Sequence, residues 1–233
     1  MSLFKNACTS TPKRGYFCAK IALFCLIVFI ALIPDQAHAQ TQTPLKGSTE
    51  ITNVGIGYSF NLPAGWDELN PILMQLYNSY AGSVAGRNGE QVLMVAAYSK
   101  LAPGSSGYSL PPILFMHYIN QPFTAEMVEP YNRMFIEEAK DDEGKTRAAK
   151  KLGLANSVTY LGSKELKPGT PLVTVKADTS FGFTGKVISA PFYSSEGILT
   201  VTFFAPEKDF SALENEALSV FKSLTILEEN TPR

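Results

Sequence analysis

Between Val54 and Leu62 the apolar side chains fall on every second position. Ile56, Tyr58, Phe60 and Leu62 share one face, and Gly57, Ser59 and Asn61 share the other. That two-residue period is the mark of a strand with one face in a core. Leu62, Pro63, Ala64 and Gly65 predict a type I turn with proline second and glycine fourth. Trp66, the only tryptophan, follows as a cap on one end of the core. Asn70 and Pro71 then open a short helix, because asparagine is a good N-cap and proline suits the first helical position. Its apolar face is Ile72, Leu73, Leu76, Tyr77 and Tyr80. Residues 82–90 carry Gly82, Gly86 and Gly89 and read as a loop, as does the Gly/Ser/Pro stretch 101–111. Strands are expected at 92–98 and 113–119. From about Thr124 to Ala139, Met127, Val128, Tyr131, Met134 and Phe135 recur at helical spacing, and Pro130 predicts a kink or a late start. A charged stretch from Glu137 to Lys151 follows, closed by Leu152 and Gly153.

The second half is strand-rich. Residues 158–161, 172–177, 183–193 and 198–204 all fit strands, and Ser194 to Gly197 form a hairpin loop between the last two. Thr200, Val201, Thr202 and Phe203 alternate as a half-buried strand does. Ser211 and Glu214 have the spacing of a capping box, which places a helix start there. Phe210, Leu213, Ala217, Val220, Phe221 and Leu224 make its stripe, and Thr225 to Leu227 suit a short last strand. About seven strands and three helices without regular alternation predict an α+β fold with mostly antiparallel pairing. One domain is expected over 54–227, after a flexible polar lead-in at 40–53 and before a tail at 228–233.

Upstream of that domain the pattern changes. Lys5, Lys13, Arg14 and Lys20 precede an apolar run from Ile21 to Leu32, closed by Ile33 and Pro34, and Ala37, His38 and Ala39 give a small-x-small cleavage site. This order predicts a secretory signal peptide over 1–39, hence a periplasmic or secreted product with no stable membrane anchor after cleavage. Cys8, Cys18 and Cys25 are all three cysteines of the chain and lie in that segment. Disulfides and thiolate chemistry are therefore not expected in the exported part. The segment also holds four of the 20 basic residues and, in Asp35, one of the 21 acidic ones, leaving a net charge of −4. No basic excess remains to hold a polyanion, so nucleic acid is not an expected partner.

Tyr58, Phe60, Pro63, Gly65 and Trp66 follow the order aromatic-x-Phe-x-x-Pro-x-Gly-Trp. This opening resembles that of PsbP-like proteins, which include the photosystem II extrinsic protein and exported bacterial proteins of unassigned role. The ending is similar too: the strand up to Phe204, then Phe210, an amphipathic helix and Ser223 to Ile226. The resemblance covers about Val54 to Leu227. It implies an α/β/α sandwich around an antiparallel sheet and a non-catalytic accessory or binding role, and it transfers no active-site residue. The run from Phe123 to Gly153 departs from the compact pattern. Some members bind metal through histidine and carboxylates, whereas His117 is the only histidine after the signal segment.

Candidate chemistry is sparse. His117 shares a strand face with Phe115 and Ile119, which favours a structural histidine over a catalytic one. Ser219 and Lys222 match Ser-x-x-Lys but lie on a core-packing helix without companion motifs. Gly144, Lys145 and Thr146 resemble the end of a phosphate loop, yet Ala139 stands where the loop needs glycine. The acidic cluster Glu137, Glu138, Asp141, Asp142 and Glu143 does not match a calcium loop and reads as a solvated helix able to dock a partner. No catalytic residue, metal ligand or cofactor is therefore assigned. Trp66, Tyr77, Tyr80, Tyr98, Tyr108 and Tyr118 are the candidates for ligand or partner contacts. The expected function is a non-catalytic accessory or protein-interaction module, with another envelope protein as partner. The alternative is a carrier of an apolar or aromatic small molecule, and an envelope hydrolase ranks last.

Overall fold

The computed structural model describes residues 47–72, 74, 75, 78, 92–100, 112–151, 155–180 and 182–227. The expected signal segment, the loops at 82–90 and 101–111, the closing Leu152 and Gly153, and the tail lie outside them. Ten strands and three fully described helices make an α+β fold. In chain order these are β1 (Thr49–Asn53), β2 (Tyr58–Leu62), β3 (Asp67–Glu68), β4 (Val92–Ser99), β5 (Ile113–Asn120), α1 (Ala125–Lys140), α2 (Asp142–Lys151), β6 (Ala155–Lys167), β7 (Thr170–Thr179), β8 (Thr184–Ser194), β9 (Gly197–Pro206), α3 (Glu207–Ser223) and β10 (Thr225–Ile226). Seven strands form the main sheet in the order β3-β4-β5-β9-β8-β7-β6, and β1-β2-β10 form a smaller one. Every pairing is antiparallel.

The main sheet is covered on both faces, which makes an α/β/α sandwich. One face presents Leu114, Met116 and Tyr118 of β5, Leu199, Val201 and Phe203 of β9, and Ile188, Ala190 and Phe192 of β8. Against it pack Phe210, Ala217, Val220 and Phe221 of α3 and Tyr58, Phe60 and Leu62 of β2. The opposite face carries Phe115, His117, Thr200, Thr202, Val175 and Val187, with α1 and α2 against β6 and β7. β9 is central, so all ten of its residues are buried. The expected half-buried alternation of Thr200 to Phe203 is thus corrected: the threonine face is sealed too, and Ser189 Oγ lies 2.7 Å from Thr202 Oγ1.

Several boundaries move for local reasons. β1 occupies the end of the stretch expected as lead-in, and residues 54–57 turn rather than extend. Asn53 drives that turn: its carbonyl accepts from the Gly57 N–H at 2.8 Å and its side chain from the Ile56 N–H at 3.1 Å. The next turn is centred on Ala64 and Gly65, one residue later than expected, because Gly65 takes φ 82°, a left-handed conformation that glycine enters without steric cost. At Asn70 the expected cap forms, its side chain accepting from the Ile72 N–H at 2.9 Å. α1 starts at Ala125 and runs through Pro130, so no late start occurs. α3 begins directly after Pro206, four residues before the expected capping box. Glu207 and Asp209 lie in its first turn, where negative charge suits the helix dipole.

Side chains cap part of each outer edge of the main sheet. At the β4 edge, beyond β3, the Asn78 amide donates to the Met94 carbonyl at 2.9 Å and accepts from its N–H at 2.7 Å. Along β6, Thr146 Oγ1 accepts from the Val158 N–H at 2.9 Å and Asp142 Oδ1 from the Tyr160 N–H at 2.7 Å. These bonds occupy the backbone groups that an open edge offers to another chain.

Candidate functional site

Trp66 anchors a polar cluster at the end of the core. The turn at Gly65 delivers its indole into the sandwich, where it is 6% exposed and edge-on to Phe203 at 6.0 Å. Its N–H donates to Glu216 Oε2 of α3 at 3.0 Å. Lys100, just past β4, donates to the same carboxylate at 2.6 and 2.8 Å. Strand end, turn and helix thus converge on one half-exposed carboxylate. Lys100 and Glu216 escape a reading of the sequence, because they are far apart in the chain and share no motif with Trp66.

Of the other contact candidates, Tyr98 and Tyr118 are buried in the same core. Tyr98 meets Phe60 edge-on at 5.8 Å. Desolvation raises the pKa of both phenols above the ordinary value. Tyr77, Tyr80 and Tyr108 lie outside the described residues.

His117 lies on the opposite face, 1% exposed, paired across strands with Met94 and Thr200 and edge-on to Phe115 at 4.9 Å. Burial pushes its pKa down to about 3, so the imidazole is neutral at physiological pH. Ser219 donates its hydroxyl to the Glu216 carbonyl at 2.6 Å, a bond within the helix. Gly144, Lys145 and Thr146 form part of α2. The Gly144 N–H is bonded to Asp141 Oδ1 at 2.9 Å, Lys145 is buried against Asp142 at 3.1 Å, and Thr146 is bound to β6. The acidic run spans the α1–α2 junction. Among the described residues no group of three or more histidine, cysteine or acidic side chains is placed to hold a metal ion.

A second aromatic group joins α1 to the β8–β9 hairpin. Phe123 stacks on Tyr193 at 4.8 Å, and Tyr131 meets each edge-on at 5.8 Å. The outer side of α1 is exposed and charged: Arg133 pairs with Glu129 at 2.8 Å and Lys140 with Glu137 at 2.7 Å, while Met127 is 42% exposed in its first turn.

No family model matches the chain, and no curated protein matches it. Among solved structures it is similar to the solution structure of cyanobacterial PsbP from Synechocystis sp. PCC 6803. The identity is 10% and the TM-score 0.39, over 82% of this chain and 98% of that one. It is also similar to LpqN, involved in cell envelope biogenesis of Mycobacterium tuberculosis, at 12% identity and TM-score 0.42, over 77% of this chain and 90% of that one.

Proposed function

We propose that this chain is an exported, non-catalytic accessory protein that works through contact with another envelope protein. The signal-peptide pattern at residues 1–39 supports export. The observation that carries the non-catalytic reading is the placement of His117: it is sealed beneath a covered sheet face and held neutral, out of reach of a substrate. Ser219 supports the same reading, since its proton is committed to the backbone of its own helix. The contact face is the outer side of α1, where Glu126, Glu129, Arg133, Glu137 and Lys140 are exposed along one stripe and Met127 is exposed to one side of it. A partner with complementary charges and an apolar contact at one margin suits it.

The test is site-specific photo-crosslinking in cells that export the protein, with the probe at Met127 or Arg133 and, as control, at Ser211 on the exposed side of α3. A discrete adduct from the α1 positions and none from Ser211 is the expected result. Two outcomes reject the proposal. One is no adduct from α1; the other is hydrolytic turnover by the purified protein that disappears in His117→Ala or Ser219→Ala.

A further inference from the structure

The ladder between β7 and β8 stops before either strand does. Its last pair is Val173 opposite Ser189. β7 reaches back to Thr170, and β8 continues to Ser194, paired only with β9. Continuing the same register would set Pro171 against Pro191, and neither has an N–H to donate. The end of the β6–β7 hairpin therefore separates from β8.

Side-chain links stand where the ladder is missing. On the α1 side, the Tyr193 hydroxyl donates to Asn132 Oδ1, and Asn132 Nδ2 donates to the Gly169 carbonyl at 2.7 Å. On the α3 side, Lys167 Nζ donates to the Leu224 carbonyl at 2.8 Å, at the C-cap of α3, and lies 4.9 Å above the Phe192 ring. Leu166 and Leu172 tuck beneath, against the core. β6 is irregular at the base of this segment, with a register shift between Tyr160 and Gly162 and a second between Glu165 and Lys167. Gly162 takes φ 151° with open space around it, so the backbone there turns without clash.

We infer that residues 163–172 form a strap that opens as a unit about Gly162 and Val173 while the rest of the sheet stays paired. Residues 163–169 are exposed or half-buried and are held by the Lys167 and Asn132 bonds and the Lys167–Phe192 contact, while Thr170, Pro171 and Leu172 are buried, so opening gives up one core leucine and a few polar links, less than global unfolding gives up. Opening uncovers Phe192 and Leu172 beside the stretch of β8 from Pro191 to Ser194, whose edge β7 already leaves unpaired. The inference is independent of the reading of α1 as a contact face.

Hydrogen exchange, amide by amide, on the protein purified from the cells that export it tests this. The strap amides are expected to exchange at least about tenfold faster than those of Val173 to Asp178, with a weaker denaturant dependence. Lys167→Met and Asn132→Leu should each speed exchange in the strap by about three- to tenfold, the worth of one lost hydrogen bond, and leave Val173 to Asp178 unchanged. Exchange of the strap in step with Val173 to Asp178 at every denaturant concentration overturns the inference. That comparison needs only the wild-type protein, so it decides the matter even where a variant does not fold.

Discussion

A neutral histidine inside a sheet makes stability depend on pH in a defined direction. Unfolded, His117 titrates near 6.5; folded, burial holds it to about 3. Between those values the unfolded chain binds the extra proton, so stability falls as pH drops through that window. The full span is worth several kcal/mol, on the order of 1.4 kcal/mol per unit. Two exposed carboxylates are also held below their ordinary values, Glu207 by hydrogen bonds from Lys186 and Lys176 and Asp178 by those from Ser157 and Thr184. They lose stability only as pH falls below about 4.5, from the ordinary carboxylate range. Between pH 6.5 and 4.5 His117, the only histidine after the signal segment, contributes a loss that these two carboxylates do not. Urea midpoints from pH 7 to 4.5 should decline more steeply in the wild type than in His117→Gln. Parallel declines in both would show that the histidine is not the titrating group. A second residue-scale prediction concerns close approach. A Cβ on Gly197 would lie 2.2 Å from the Ile119 carbonyl oxygen, a backbone atom with no freedom to turn aside. Gly197→Ala should cost about 1–3 kcal/mol in equilibrium unfolding, and an unchanged midpoint would mean that the hairpin shifts to make room.

At the scale of elements, α2 guards β6. Thr146 replaces a missing neighbour strand for Val158, accepting from its N–H and donating to its carbonyl at 3.3 Å. Thr146→Val keeps the shape and removes both bonds, so a loss of about 1–3 kcal/mol is expected, with faster exchange of the Val158 amide. Protection of Val158 at the wild-type level in the folded variant would mean that burial under α2, rather than the hydroxyl, closes the edge. None of this guard was legible along the chain. The charged run 137–151 announces a helix, but its polar side chains look alike whether they face water or a strand edge. The same limit explains the other misses. β1 has only Ile51 to turn inward, so its alternation is too thin to read. The distal half of β6 is mostly exposed and shows no period. Conversely β2, β5 and the stripe of α3 bury one or both faces fully, and their spacing gave them away. For the candidate site, Phe115 and Ile119 already marked His117 as interior, and the lone tryptophan after a Pro-Gly turn marked the end of the core. What no spacing conveys is the meeting of Trp66, Lys100 and Glu216, since that depends on how three separate elements dock.

The docking of those elements can be read from a single chromophore. Trp66 touches three parts of the molecule at once: the turn after β2, Phe203 at the centre of the sheet, and Glu216 on α3. Phe203 is fully buried and packs on Phe210 at 5.5 Å as well, so it ties β9 to the helix that follows it. Removing its ring leaves a cavity between sheet and helix layer. Phe203→Ala should lower stability by about 3–5 kcal/mol and shift Trp66 emission to the red in the folded state, as water gains access to the indole. Phe203→Leu keeps most of the volume and should cost less and shift little. Glu216→Gln offers a contrast, because it removes charge at the rim without emptying the core. It loosens the grip of Lys100 but leaves Trp66 packed, so emission holds while the urea midpoint falls modestly. If Trp66 emission moved as far in Glu216→Gln as in Phe203→Ala, the hydrogen bond rather than the packing would be what seats the indole. The layers would then be joined at that end through the carboxylate. If only the cavity variant shifts, the closed apolar interior sets the docking of α3, and the polar cluster fixes its register along the sheet.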